Sequence, residues 1–106
     1  MWTRFHHGTL RVTGVVISGQ ARSGCGVVVA GRIATNGSPG VVSYRWVFTP
    51  GGPGQRLEQS VTAGQHAARV TAEVTGSTPG NAAQRVTLRV LVPGHDAASA
   101  VVQVRC

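Results

Sequence analysis

The stretch from Val41 to Phe48 constrains the fold more than any other part of the chain. It is the longest run of β-branched and aromatic residues, and it holds three of the five aromatic side chains. Read with a period of two, one face carries Val42, Tyr44, Trp46 and Phe48, and the other carries Ser43 and Arg45. This alternation predicts a strand with one face on a core and one face in water. We expect Tyr44, Trp46 and Phe48 to anchor that core.

The remaining segments alternate in the same way, and none keeps a helical spacing of apolar residues without a glycine interrupting it. We therefore predict seven strands, at residues 9–18, 25–35, 41–48, 55–63, 66–75, 82–92 and 97–106. Residues 19–24 and 50–54 are expected to be loops, and 36–40 a turn with residues suited to positive φ. The first strand is expected to be bulged near Gly14, where its alternation slips.

Seven short strands in a chain of 106 residues predict an all-β fold, an immunoglobulin-like sandwich of antiparallel strands in two sheets. A small β-barrel is the alternative. A chain of this length makes one domain and can bury roughly two-thirds of its unfolded surface. We expect a flexible N-terminal segment at residues 1–8 and the sandwich domain at 9–106.

The charge of the chain is strongly positive. It contains ten arginines, no lysine and only three acids, Glu58, Glu73 and Asp96, for a formal net charge of +7. Such a balance favours an anionic partner, such as nucleic acid or an acidic cell-wall polymer. The alternative is a GC-rich genome, which raises arginine, alanine, glycine, valine and proline at the expense of lysine.

The strand phases place most arginines opposite the core side chains, on faces that meet water. In an immunoglobulin-like arrangement the third, sixth and seventh strands share a sheet. The outer face of that sheet is expected to carry Arg45, Arg85, Arg89 and Arg105 without an acid. The other sheet is expected to carry Arg32 and Arg69 with Glu58 and Glu73. The possible anion-binding face is therefore the first of these two.

Several short motifs resemble one family. The segment Gly40-Val41-Val42-Ser43-Tyr44-Arg45-Trp46 resembles the G-x-V-x-Y-x-W strand of immunoglobulin-like domains in secreted and surface proteins of actinobacteria. Cys25, which opens the second strand, the late Val86-x-Leu88-x-Val90 and the closing Cys106 are similar to the same pattern. The resemblance covers roughly residues 10–106. It implies a module that sits beside other domains and has no assigned activity.

The two cysteines, Cys25 and Cys106, are predicted to form a disulfide. Each is in phase with the core residues of its strand, and in a seven-strand sandwich the two positions can lie at the same end on facing sheets. Stable disulfides belong to oxidising compartments. The alternative is a pair of buried free thiols in a cytosolic protein. Antibody-type domains carry their second cysteine and a tyrosine corner on the sixth strand. The predicted sixth strand of this chain, at residues 82–92, has neither a cysteine nor a tyrosine.

Catalytic motifs are weak. His95, Asp96 and Ser99 are the residue types of a triad, but they crowd into one turn, and a triad also needs an oxyanion hole and a pocket. His6 and His7, with His66 or His95, lack the spacing of a metal site. Tyr44 and Trp46 could stack a sugar or base only if they were exposed. We expect no enzyme activity, no cofactor and no metal.

The sequence therefore predicts a non-enzymatic module that serves in adhesion, as a spacer or in protein interaction, within a secreted or cell-surface protein. Its partner is expected to be a protein or cell-surface component, without a small-molecule substrate and without membrane insertion by this segment. The alternative function is binding of an anionic polymer through the arginine-rich sheet face. The first residues lack the apolar run of a signal peptide, which suits a fragment, a mature form or an internal protein.

Overall fold

The computed structural model describes residues 9–24, 26–49, 52–74 and 82–104. The regular structure of these residues is entirely β. The eight strands are β1 (Val12–Ser23), β2 (Gly26–Thr35), β3 (Gly40–Thr49), β4 (Gly52–Pro53), β5 (Leu57–Val61), β6 (Ala67–Val74), β7 (Ala82–Val92) and β8 (Ala97–Val104). Within the described ranges no helix is long and apolar enough to cross a membrane.

The strands form two antiparallel sheets that pack face to face. One sheet has three strands in the order β1-β2-β6. The other has five: β3 lies between β7 and the short strands β4 and β5, and β8 pairs with β7. The predicted all-β sandwich is confirmed. The prediction that the strands at 41–48, 82–92 and 97–106 share a sheet is also confirmed, because they are β3, β7 and β8.

The core lies between the sheets and is built from the alternate residues that the strand periodicity places inward. Trp46 is 3% exposed and Tyr44 is 7% exposed, whereas Phe48 is partly buried and packs against the edge of the core. Fully buried aliphatic residues surround these rings, chiefly Val29, Ile33, Val42, Val86, Leu88, Val90, Val102 and Val104. The inner faces of four strands therefore supply most of the core.

The turn between β2 and β3 is tied to the segment that precedes β1. Gly37 has a φ of 89°, a left-handed conformation that glycine adopts without strain. Asn36 reaches back from this turn: its Oδ1 accepts from the backbone N–H of Arg11 at 3.1 Å, and its Nδ2 donates to the Thr9 carbonyl at 2.9 Å. These bonds hold residues 9–11 against the sandwich.

Two sequence predictions about the strands need correction, and a third is confirmed. Residues 19–24 are not a loop, because β1 continues to Ser23 and pairs with β2 over its whole length. Residues 50–54 are not wholly irregular, since Gly52 and Pro53 pair with Phe48 and Val47 as the short strand β4. The bulge expected near Gly14 is confirmed by the register shift between Val12 and Gly14, and a second shift, which was not predicted, lies between Ile17 and Gly19.

Candidate functional site

The outer face of the five-stranded sheet brings arginines from different strands side by side. Arg45 on β3 lies directly opposite Arg89 on β7. Four residues further along the same pair of strands, Arg85 lies opposite Thr49. Between these rows, the hydroxyls of Thr87 and Ser99 hydrogen bond at 2.7 Å. The register of the strands therefore orders the positive charges on this face, which also carries the exposed side chains of Val41 and Val101.

The Arg45–Arg89 pair is an unfavourable arrangement for the fold alone. Cβ atoms of directly opposed residues in antiparallel strands lie about 4.5–5.5 Å apart, and like charges in such positions destabilise the pairing. Arg45 is partly buried, and its Nε has no hydrogen-bond partner among the described residues. Neither guanidinium forms an ion pair within the described part of the chain. The pair thus presents unneutralised charge at the surface.

A further arginine lies beside β3 at the edge of this sheet. Arg56 is the residue just before β5, whose first residue, Leu57, pairs with Tyr44. Arg56 Nη2 donates to Ser43 Oγ at 2.9 Å. That contact covers Ser43, which is only 4% exposed although it belongs to the outer face. We call Arg45, Arg56, Arg85 and Arg89 the arginine face.

The expected separation of acids from this face is wrong in one respect. Glu58 was assigned to the other sheet, but it lies on β5, opposite Ser43, and so on the outer side of the five-stranded sheet. The error came from the short strand β5, whose two apolar residues Leu57 and Val61 do not reveal which edge they join. Glu58 is exposed and forms no ion pair with the described arginines. Arg105, the fourth predicted member of the face, lies outside the described residues.

The three-stranded sheet carries its own arginine pair. Arg32 on β2 lies directly opposite Arg69 on β6, and Glu73 lies further along β6, opposite Val28. The two outer faces therefore differ less than the sequence suggested. Among the described residues, the arginine face has four arginines and Glu58, whereas the three-stranded face has this single pair and Glu73.

The other candidates from the sequence are dispersed. His95 and Asp96 are exposed in the β7–β8 turn, and Ser99 bonds to Thr87 on the outer face of β8. Within the described ranges no three His, Cys, Asp or Glu side chains gather in a way that could hold a metal ion. His6, His7, Cys25 and Cys106 lie outside the described residues, so the disulfide stays a prediction.

Tyr44 and Trp46 are not available for stacking on a ligand. Tyr44 and Trp46 both point into the core, and burial raises the pKa of the Tyr44 hydroxyl above its ordinary value. The indole Nε1 of Trp46 has no hydrogen-bond partner in the described part of the chain.

Sequence reasoning did not identify Arg56 as a member of the face. Its position two residues before Glu58, in the outward phase of the fourth predicted strand, was the available signal. The edge to which that strand pairs decides whether Arg56 joins Arg45, and edge choice is a long-range property.

No family model, no curated protein and no solved structure matches this chain. The fold and its surfaces define it as an antiparallel β-sandwich with an arginine-bearing face on its larger sheet.

Proposed function

We propose that this chain is a non-enzymatic immunoglobulin-like module that works by binding, as an interaction or adhesion domain of a secreted or cell-surface protein. The observation that carries the proposal is the Arg45–Arg89 pair on an open sheet face. Two opposed like charges weaken the strand pairing, so a binding role accounts for them better than a role in stability. The resemblance of Gly40–Trp46 to domains of secreted and surface actinobacterial proteins supports the location.

A second candidate function concerns the kind of partner, an anionic polymer such as a cell-wall phosphopolymer or nucleic acid. Arg45 and Arg89 lie opposite each other on β3 and β7, and Arg85 lies four residues from Arg89 along β7. Arg56, just before β5, reaches the same face through its hydrogen bond to Ser43. A flat cationic face of this kind suits a chain of phosphates, because each guanidinium can donate two hydrogen bonds to one phosphate group. Binding would release counterions and weaken steeply as salt is added.

The test compares two matched double variants in a polyanion-binding assay over a series of salt concentrations. Arg85→Ser with Arg89→Ser removes two charges from the arginine face, and Arg32→Ser with Arg69→Ser removes two charges from the opposite sheet. We expect the first variant to lose more affinity and to show a shallower salt dependence, lower by about one unit of slope per lost phosphate contact. Equal losses from both variants would show that only net charge matters.

The location is tested separately in the cells that make the full-length protein. An antibody against this domain is expected to label intact cells or to detect the domain in the medium, while a cytosolic marker stays hidden. Labelling only after the cells are made permeable would place the domain inside and remove the surface assignment. This result leaves the polymer assay unaffected, so the two parts of the proposal fail independently.

A further inference from the structure

The three-stranded sheet has a groove on its outer face, on the opposite side of the sandwich from the arginine face. Its volume is about 500 Å³, within the range of about 300–1,000 Å³ that is common for small-molecule sites. Residues 18–21 of β1 line one side, Val28, Ala30 and Arg32 of β2 form the floor, and residues 67–69 of β6 line the other side near Arg32. All of its lining residues belong to the described part of the chain.

One end of the groove is cationic. Arg32 and Arg69 lie opposite each other there, and both line the groove. Neither guanidinium group forms a hydrogen bond or an ion pair within the described residues. Because their two charges repel each other across the strands, an anion bound between them would relieve the repulsion and accept hydrogen bonds from both guanidinium groups.

The floor of the groove beyond Arg32 is apolar. Along β2 the floor continues from Arg32 to Ala30 and Val28. Because a strand rises about 3.3 Å per residue, the four steps from Arg32 to Val28 span about 13 Å. Ala30 is only 6% exposed although it points to the outer side of the sheet. It pairs with Gly19, and Ala21 pairs with Val28, so small side chains leave room above this floor.

The bulge in β1 shapes the wall beside this floor. The register shift between Ile17 and Gly19 leaves Ser18 as an extra residue, and such a bulge bends its strand. Ser18 Oγ donates to the Ala30 carbonyl at 3.3 Å, which ties the bend to the floor. The groove therefore follows from an irregularity of the strand, and no continuous sequence motif encodes it.

We propose that this groove binds a small amphipathic carboxylate, with its anionic head between Arg32 and Arg69 and its short aliphatic body over Ala30 and Val28. The charge at one end selects an anion, and the apolar floor selects the body. A compact inorganic anion would contact only the two arginines, and an alkyl amine of the same length would contact only the apolar floor. The proposal does not depend on polymer binding at the arginine face.

Titration calorimetry with the intact chain tests the site with hexanoate, acetate, sulfate and hexylamine. Hexanoate is expected to bind most tightly, and hexylamine is expected not to bind. Arg32→Ser with Arg69→Ser should raise the Kd for hexanoate about tenfold or more, because a hydrogen bond to a charged group is worth about 1.5–3 kcal/mol. Arg22→Ser, which removes an exposed charge from β1 outside the groove, is the matched control and should change the Kd little.

A second variant keeps the charges and fills the apolar end. Ala21→Leu should remove the advantage of hexanoate over acetate while leaving acetate binding in place. The proposal is overturned if acetate and sulfate bind as well as hexanoate to the unmodified chain, or if Arg22→Ser weakens binding as much as the double variant. Polymer affinity should show the opposite order: Arg85→Ser with Arg89→Ser should weaken it more than Arg32→Ser with Arg69→Ser.

Discussion

Gly31 on β2 faces Trp46 on β3 across the sandwich at a distance that leaves no room for a methyl group. A Cβ added to Gly31 would lie 3.2 Å from the Cη2 atom of Trp46 and 2.5 Å from Cδ2 of Leu88. The two sheets are therefore closely packed where Gly31 of one meets Trp46 and Leu88 of the other.

Gly31→Ala is expected to destabilise the fold by about 1–3 kcal/mol, the usual cost of overpacking a dense core. Gly14→Ala is the matched control, because Gly14 also lies in a strand but has no atom within 4 Å of its added Cβ. That variant should be neutral, or stabilising by about 0.4–1 kcal/mol. Chemical denaturation measures both, and equal effects would contradict the close approach of the sheets.

Trp46→Ala should cost about 3–5 kcal/mol, a large part of the 5–15 kcal/mol that typically stabilises a domain. Trp46→Phe should cost clearly less, because a ring remains and a buried N–H without a partner, which costs about 1–3 kcal/mol, is removed. Thermal melting of the two variants against the parent decides this. A Trp46→Ala protein that melts within a few degrees of the parent would show that the ring is not central.

We expect the folded protein to lose stability at high pH because of Tyr44. Burial raises the pKa of its hydroxyl, so the folded protein holds this proton more tightly than the unfolded chain. The stabilisation is complete below the pKa of an unfolded tyrosine, about 10, and is lost as the pH rises through the higher folded value. Tyr44→Phe should therefore lose less stability than the parent above about pH 10.

Tyr44 is the only tyrosine of the chain, so the ultraviolet absorbance of tyrosinate follows this group alone. An absorbance change centred at or below the value of a free tyrosine in the folded protein would contradict the burial of its hydroxyl.

The predicted Cys25–Cys106 disulfide can be tested by mass spectrometry of the non-reduced protein. It would close a long loop, for which the chain-entropy model gives roughly 4.5 kcal/mol of stabilisation. We expect no free thiol after aerobic purification and a marked drop in the melting temperature on reduction. Two free thiols would remove the disulfide and, with it, the strongest sequence argument for an oxidising compartment.

Strong alternation predicted part of this fold closely. The strand at 82–92 was predicted with the observed bounds of β7, because Val86, Leu88 and Val90 alternate with polar residues and are all fully buried. Residues 19–22 gave no such signal, since they are exposed on an edge strand, and their glycine and polar content resembles a loop.

The surface sites depend on pairing that a single sequence does not specify. The arginine face needs the edge at which Leu57–Val61 joins β3, and the groove needs the bulge at Ser18 and three separate strands. Each strand shows which of its residues point outward, but the register decides which outward residues become neighbours.

The edge of the five-stranded sheet beside β3 is interrupted, and this interruption affects whether copies of the molecule associate through their sheet edges. That edge consists of the two-residue strand β4 and the five-residue strand β5, separated by residues 54–56. Pro53 has no backbone N–H, and the backbone N–H of Gly54 donates to the Trp46 carbonyl at 2.7 Å. A second chain approaching here finds no long row of free backbone groups to extend. This edge therefore resists the open-ended growth of sheets that leads to fibres.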